Sequence, residues 1–209
     1  MVVMTLLTLD WHFEIAEKLE LAPIYEPVLD DFLLLFLYLD GRTPFYGEET
    51  LHLCFFLYPY VSVKASPSVF LPFSQEIEDA ILRLRAKDLV EEGKDFRGGR
   101  YVSMLKLSDI GVSEARKVFS TFANSWILLN GFVLRRGSEV LSELEALKKT
   151  YNGKSPLELL RVMALKIDSE GEVIIKRLGF SSERQGKMII DMAKQLAREL
   201  KILMREHPY

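Results

Sequence analysis

The chain has 209 residues, of which 49% are hydrophobic and 27% charged, with a formal net charge of −3. That length can bury a sizeable core as one large domain or two small ones, and the ordinary composition excludes a disordered or fibrous protein. So small a net charge gives no overall attraction to nucleic acid.

A single cysteine, Cys54, excludes an intramolecular disulfide and a thiolate-only metal site, which fits a reducing compartment. The apolar start, Met1 to Leu9, lacks a positively charged beginning and a small-residue cleavage site, so no export signal is expected. Phe32 to Leu39 is the longest apolar run and falls far short of the ~20 residues that span a bilayer. The expectation is a cytoplasmic protein with no membrane contact. Charge is divided unevenly along the chain. Residues 1–131 hold 12 Lys and Arg against 19 Asp and Glu, a net of −7, and residues 132–209 hold 15 against 11, a net of +4. The change of sign places a boundary between structural units near Asn130-Gly131.

In chain order, Trp11 to Leu21 reads as a short helix that ends before Pro23 and Pro27. Val28 to Leu39 reads as a buried helix, with Asp30 and Asp31 suited to its first turn. After the break at Gly41-Arg42-Thr43-Pro44, Glu48 to Tyr58 places Leu51, Phe55 and Tyr58 at helical spacing. Phe55, Phe56, Tyr58 and Tyr60 lack interleaved Lys or Arg and read as core, not as a base-stacking platform. Val61 to Phe73, with Pro67 and Pro72, reads as short strands or extended loop. Ser74 is placed as N-cap of a helix to about Lys87 that buries Ile77, Ile81 and Leu84. Leu89 to Phe96 and Tyr101 to Leu107 are strand-like, and Arg97-Gly98-Gly99-Arg100 supplies the positive φ angles of a tight hairpin turn. Helices are then predicted over Ser113 to Ala123, over Phe132 to Tyr151, and from the capping box Ser155-Pro156-Leu157-Glu158 to about Lys166. Glu172 to Leu178 could be strand or helix, and a long helix runs from Ser182 to about Glu206.

Two helices, a capped third helix and a hairpin give the element order of a winged helix-turn-helix. Phe73-Ser74-Gln75-Glu76-Ile77, with Ala80, Leu84 and Leu89-Val90-Glu91, resembles a run in uncharacterised prokaryotic winged-helix proteins, the YwgA-like group, which is similar to the SocA-like antitoxin proteins. The resemblance covers roughly Val28 to Ser108 and implies a winged-helix fold. The family's second helix carries basic residues around a Leu where this chain has Glu48, Glu49 and His52.

The fold class expected is α+β and mostly helical, with a winged-helix domain over residues 1–110 and a helical extension over 111–209. The leading expectation is a DNA-binding or transcription-regulator-like protein, which on double-stranded DNA would use Arg97 and Arg100 at the wing tip on phosphate or the minor groove, and Arg83, Arg85 and Lys87 on the backbone. Against simple DNA reading stand Glu76, Glu78 and Asp79 in the first turns of the third helix, and Glu91, Glu92 and Asp95 on the wing. A winged helix that binds protein through its acidic helix faces is the alternative. On the last helix, Ile189, Ala193, Leu196, Leu200 and Leu203 recur at spacings of four and three. They form either a homodimer seam, with Ile189, Leu196, Leu200 and Leu203 as its contacts, or the buried face of a helix packed on its own chain. Arg184, Lys187, Lys194, Arg198, Lys201 and Arg205 make a mostly basic stripe opposite, read as solvated.

Catalysis is not expected, and neither is a cofactor or a metal. His12, His52 and His207 form no metal-spaced pair, and His52 reads as a surface or core-edge side chain. Cys54 sits in Leu53-Cys54-Phe55-Phe56 as a small buried hydrophobe. No glycine cluster matches a phosphate-binding loop.

Overall fold

The computed structural model describes residues 23–67, 71–178 and 183–206, together with Lys18. The helix expected over Trp11 to Leu21 lies outside these residues apart from Lys18. The described chain is α+β, as expected, with more than half of its residues in helices. No described helix is long and apolar enough to cross a membrane.

The elements are β1 (Ile24–Tyr25), α1 (Leu29–Tyr38), a single turn at Asp40–Arg42, β2 (Phe45–Tyr46), α2 (Glu48–Leu57), β3 (Ser66–Pro67), β4 (Pro72–Phe73) and α3 (Gln75–Ala86). There follow β5 (Val90–Arg97), β6 (Arg100–Leu107), α4 (Asp109–Ala123), β7 (Trp126–Leu129), β8 (Val133–Arg136), α5 (Gly137–Tyr151), α6 (Pro156–Arg177) and α7 (Glu183–Glu206). The chain folds as two compact units that interleave along the sequence, with α3 and the β5–β6 hairpin contributing residues to both.

The first unit comprises residues up to Pro44, Arg83–Glu91 and Leu105–Thr150. Its centre is α1, whose Phe32 to Leu37 are all buried, so this helix lacks a polar face and must be covered on several sides. The Asp31 carboxylate accepts from the Val28 N–H at 2.9 Å and the Tyr25 hydroxyl at 2.8 Å, which satisfies an orphan donor at the helix start. α1 packs on α4. Phe122 of α4 is fully buried and meets Tyr25 and Phe32 edge to face at 5.5 and 5.8 Å. Ser108 caps α4 by accepting from the Gly111 N–H, so the helix starts at Asp109, four residues before the expected Ser113.

A three-stranded sheet in the order β1-β7-β8 completes this unit, β1 parallel and β8 antiparallel to β7. This corrects the helix expected from Phe132. Asn130 (φ 52°) and Gly131 (φ 73°) both adopt the left-handed conformation of a tight hairpin turn, and the helix begins only at Gly137. The sign change in charge at Asn130-Gly131 therefore marks a hairpin tip inside one compact unit.

The second unit comprises Phe45–Leu82, Glu92–Met104 and residues from Tyr151 onward. Leu53 and Phe56 of α2, Ala65 and Leu71 of the following connection, Leu159, Met163, Ile167 and Ile174 of α6, Leu178, and Ala193 of α7 form one apolar cluster. Phe55 and Tyr58 are likewise buried, as their lack of neighbouring cations implies. β3 and β4 pair as a short antiparallel ribbon, and α2 packs on β4. The Ser155 capping box is present, with the Ser155 hydroxyl accepting from the Glu158 N–H and the Glu158 carboxylate accepting from the Ser155 N–H at 2.8 Å. The helix it starts runs to Arg177, eleven residues past its expected end, through a kink at Glu170 (φ −129°, ψ 27°). Glu172 to Leu178 is thus helical for almost its whole length.

β2 joins the hairpin to give the sheet order β2-β6-β5. The Gly47 N–H donates to the Ser103 carbonyl at 3.0 Å, and the Glu48 N–H donates to the Ser103 hydroxyl at 3.0 Å. At the tip of the hairpin, Gly98 and Gly99 both have positive φ, as the Gly-Gly pair implies.

Candidate functional site

The second unit carries two features with chemistry to examine, a buried histidine flanked by carboxylates and the end of the β5–β6 hairpin. His52 sits on α2, one turn after Glu48, and is only 3% exposed. Its ring lies 4.9 Å from that of Phe73. Its Nδ1 accepts from the Ser74 backbone N–H at 3.2 Å, and its Nε2 lies 2.8 Å from Glu78 Oε1 on α3. A ligand atom from each of Glu48, His52 and Glu78 falls within 4.8 Å of the other two.

This trio has the composition of a metal centre, but its hydrogen bonding does not suit one. A backbone N–H has no choice of role, so Nδ1 must be the unprotonated nitrogen. The ring proton is therefore on Nε2, where it donates to Glu78. A metal needs a lone pair at Nε2, and moving the proton to Nδ1 would set two donors against each other at 3.2 Å. The trio is better described as a hydrogen-bonded chain. Burial pushes the Glu48 carboxyl up, and the neighbouring charge of Glu78 pushes it further. Burial also raises Glu78, against the lowering effect of a hydrogen bond from Glu48, with Glu92 and Asp79 adding to the rise. His52 moves down because burial disfavours its cation more than Glu48 and Glu49 favour it. All three shifts favour the neutral forms, an imidazole that resists protonation beside carboxyls that release their protons less readily than usual. In a nitrogen-15 titration, neutral His52 should be the Nε2-protonated tautomer and should take up its second proton at lower pH than an ordinary histidine. Added zinc should leave its signals in place; a zinc-induced shift at Nε2 would overturn this assignment.

Ser74 stands at the N-cap position that the sequence implied, its carbonyl accepting from the Glu78 N–H at 3.4 Å, but its side chain makes no capping bond. Its hydroxyl is buried with no hydrogen-bond partner, and its N–H is the group engaged, on His52. Cys54 is a fully buried side chain whose thiol is pushed up by burial, the opposite of nucleophile activation.

The five cations proposed for DNA are held in two different ways. Within the first unit, Asp30 receives Arg83 through two nitrogens at 2.6 and 3.3 Å and lies 4.0 Å from Lys87. Arg85 is exposed. Within the second unit, the Arg97 guanidinium stacks 3.5 Å over the Tyr46 ring and pairs with Asp95 at 3.1 Å, and Arg100 is exposed beside it. Sequence reasoning missed the two aromatics flanking this turn. Phe96 is 61% and Tyr101 75% exposed, and their rings meet edge to face at 5.3 Å. A two-residue turn between strands sets its flanking pair on one face, and that was the available signal. Leu82 on α3, 55% exposed, was also missed.

On α7 the residues turned inward are Gly186, Ala193 and Ala197, with Ile190 packed on the core cluster of the second unit. α6 and α7 pack side by side. Ala193 of the expected seam is therefore covered by the chain itself, and Ile189 and Leu196 lie half-buried along its edge. Leu200 and Leu203 fall on this helix, but their side chains lie outside the described residues. Met188, Met192 and Ile202 are exposed. Arg184, Lys187 and Arg198 of the basic stripe are also exposed, and Lys194 is half-buried. Neither a family model, nor a curated protein, nor a solved structure matches this chain.

Proposed function

We propose that the elements from α1 to β6 form a winged-helix module that binds a protein partner through the exposed face of α3, and does not read duplex DNA. Support for the fold comes from the order helix, strand, helix, helix, hairpin. The strand that follows α1 pairs with the second strand of the hairpin, giving β2-β6-β5. That order and pairing support a winged helix, and the resemblance over Val28 to Ser108 points the same way.

One observation carries the choice of partner. The outward residues in the first two turns of α3 are Gln75, Asp79 and Leu82, with Glu76 and Glu78 half-exposed beside them. In a DNA reader this end of the third helix approaches base edges and phosphates, and three carboxylates there oppose the polyanion. Arg83 follows immediately but is engaged in two hydrogen bonds to Asp30. An exposed leucine within a ring of acids is instead the composition of a protein contact, an apolar centre with a charged surround.

The test compares both ligand classes. Duplex DNA at physiological salt should bind no tighter than about 10⁻⁴ M, the weak end of non-specific association. A protein partner retained by the wild-type chain should lose at least about tenfold in affinity with Leu82→Glu and with Asp79→Arg. Micromolar duplex binding that Arg97→Ala with Arg100→Ala removes would overturn this reading in favour of DNA.

A further inference from the structure

We infer that the α3 face has its complement in the same chain, and that the β5–β6 hairpin of a second copy docks on it. This rests on the reading of α3 as a protein-binding face and names the partner. Both surfaces belong to the second unit, so each is described without reference to the first.

The hairpin end is an amphipathic, cationic probe. Lys94 and Phe96 alternate along β5 and so share a face, and the Tyr101 ring adjoins Phe96 on that face at 5.3 Å. Lys94 is exposed, as are Phe96 and Tyr101. Arg97 and Arg100 bracket the turn. Asp95 is the one acid between Lys94 and Tyr101, and its carboxylate is paired with Arg97. Two neighbouring aromatics exposed beyond half their surface form a contiguous apolar patch of the kind that marks a contact site.

The face of α3 is the inverse. Asp79 and Leu82 are three residues apart and lie on one side of the helix. Gln75 holds the Asp79 carboxylate through a hydrogen bond at 2.9 Å. Glu76 and Glu78 stand on either side. Lys94 against Asp79, with Phe96 and Tyr101 over Leu82, matches a cation and an apolar pair to an anion and an apolar side chain. Charge complementarity in both directions favours a second copy over an unrelated protein, because one chain presents both halves. Exchanged reciprocally, the contact is isologous and closes a dimer; made one way, it is heterologous and builds a chain of copies.

Sedimentation of the full chain tests this. Average mass should rise with concentration at low ionic strength, and association should weaken in high salt, as exposed charge pairs require. Lys94→Glu alone and Asp79→Arg alone should each weaken self-association by about tenfold or more. All these side chains are on the surface, so circular dichroism should be unchanged. An equimolar mixture of the two variants should recover association to within about threefold of wild type, because the acidic hairpin of one then meets the basic helix of the other. A chain that stays monomeric to millimolar concentration overturns the inference while leaving α3 open to a different protein. Loss with Asp79→Arg but not with Lys94→Glu also overturns it, and would show α3 meeting another surface of the copy. Failure of the mixture to associate is a third overturning result.

Discussion

Replacing Lys148 by Met should cost the fold about 4 kcal/mol or more, a large fraction of the roughly 5–15 kcal/mol that holds a native domain. The Lys148 side chain is 0% exposed. Its Nζ donates to the carbonyls of Leu37 at 3.0 Å, Leu39 at 2.8 Å and Thr43 at 2.8 Å, which uses all three ammonium protons. Those carbonyls belong to the end of α1 and the turn after it, where helix geometry leaves acceptors without partners. The turn itself is costly. Asp40, Gly41 and Arg42 have φ of 58°, 64° and 62°, and two of the three carry side chains that disfavour this region. Methionine keeps the length of the lysine and removes every donor, so three buried carbonyls lose their partner at about 1–3 kcal/mol each. Urea unfolding of the two proteins reads the difference directly, and a loss under about 1 kcal/mol would refute the role assigned to the ammonium.

The same lysine gives stability a pH signature of known sign. Burial pushes its pKa down to about 8, against the raising effects of Asp40 and Glu145. Between about 8 and the ordinary lysine value near 10.4, the unfolded chain binds more protons than the folded one, so this group's contribution to stability rises with pH across that window. Tyr25, Tyr151 and Cys54 have raised values and act in the opposite sense, because unfolding lets them ionise. The lysine effect is therefore read as wild type minus Lys148→Met, and that difference should grow through the window.

Features set by neighbouring residues were legible in the sequence. The Gly98-Gly99 turn, the Ser155 capping box and the buried character of α1 each depend on adjacent side chains, and each is present. What failed was competition between local signals. Val133, Val140, Leu144 and Leu147 recur at helical spacing, and that pattern masked Asn130-Gly131, itself a strong hairpin turn between apolar runs. Lys148 lies four residues after Leu144 on the buried side of α5, yet its charge marks it as solvated until the three carbonyls are placed around it. The His52 site divides in the same manner. Glu48 and His52 are one helical turn apart and visible together, whereas Glu78 and Ser74 come from 26 and 22 residues away. Ser74 was legible as the residue before the helix, but not the unpartnered state of its hydroxyl or the bond from its N–H to an imidazole 22 residues away.

Gly137→Ala should be a severely damaging single-methyl change, with a cost above about 3 kcal/mol. A Cβ at this position would lie 1.6 Å from the carbonyl oxygen of Phe122 and 2.5 Å from its carbon. The glycine does not stand in the left-handed region, so its need is for space alone, where the first turn of α5 crosses the last turn of α4. Neither side can yield cheaply. The Gly137 N–H donates to the Ser125 carbonyl at 3.0 Å, which fixes the start of α5. Phe122 is held by full burial between Tyr25 and Phe32. Relief requires the two helix ends to part by more than an ångström, which opens the core around a close-packed aromatic. Gly41→Ala is the matched control. Its added methyl meets nothing within 4 Å, so only the positive φ of 64° opposes it, at about 1 kcal/mol. At roughly 2–4 °C per kcal/mol for a chain of this size, Gly137→Ala should lower the midpoint by at least about 6 °C and Gly41→Ala by no more than about 4 °C. Equal shifts in thermal unfolding would refute the assigned cause, because they would leave backbone freedom, common to both glycines, as the only cost.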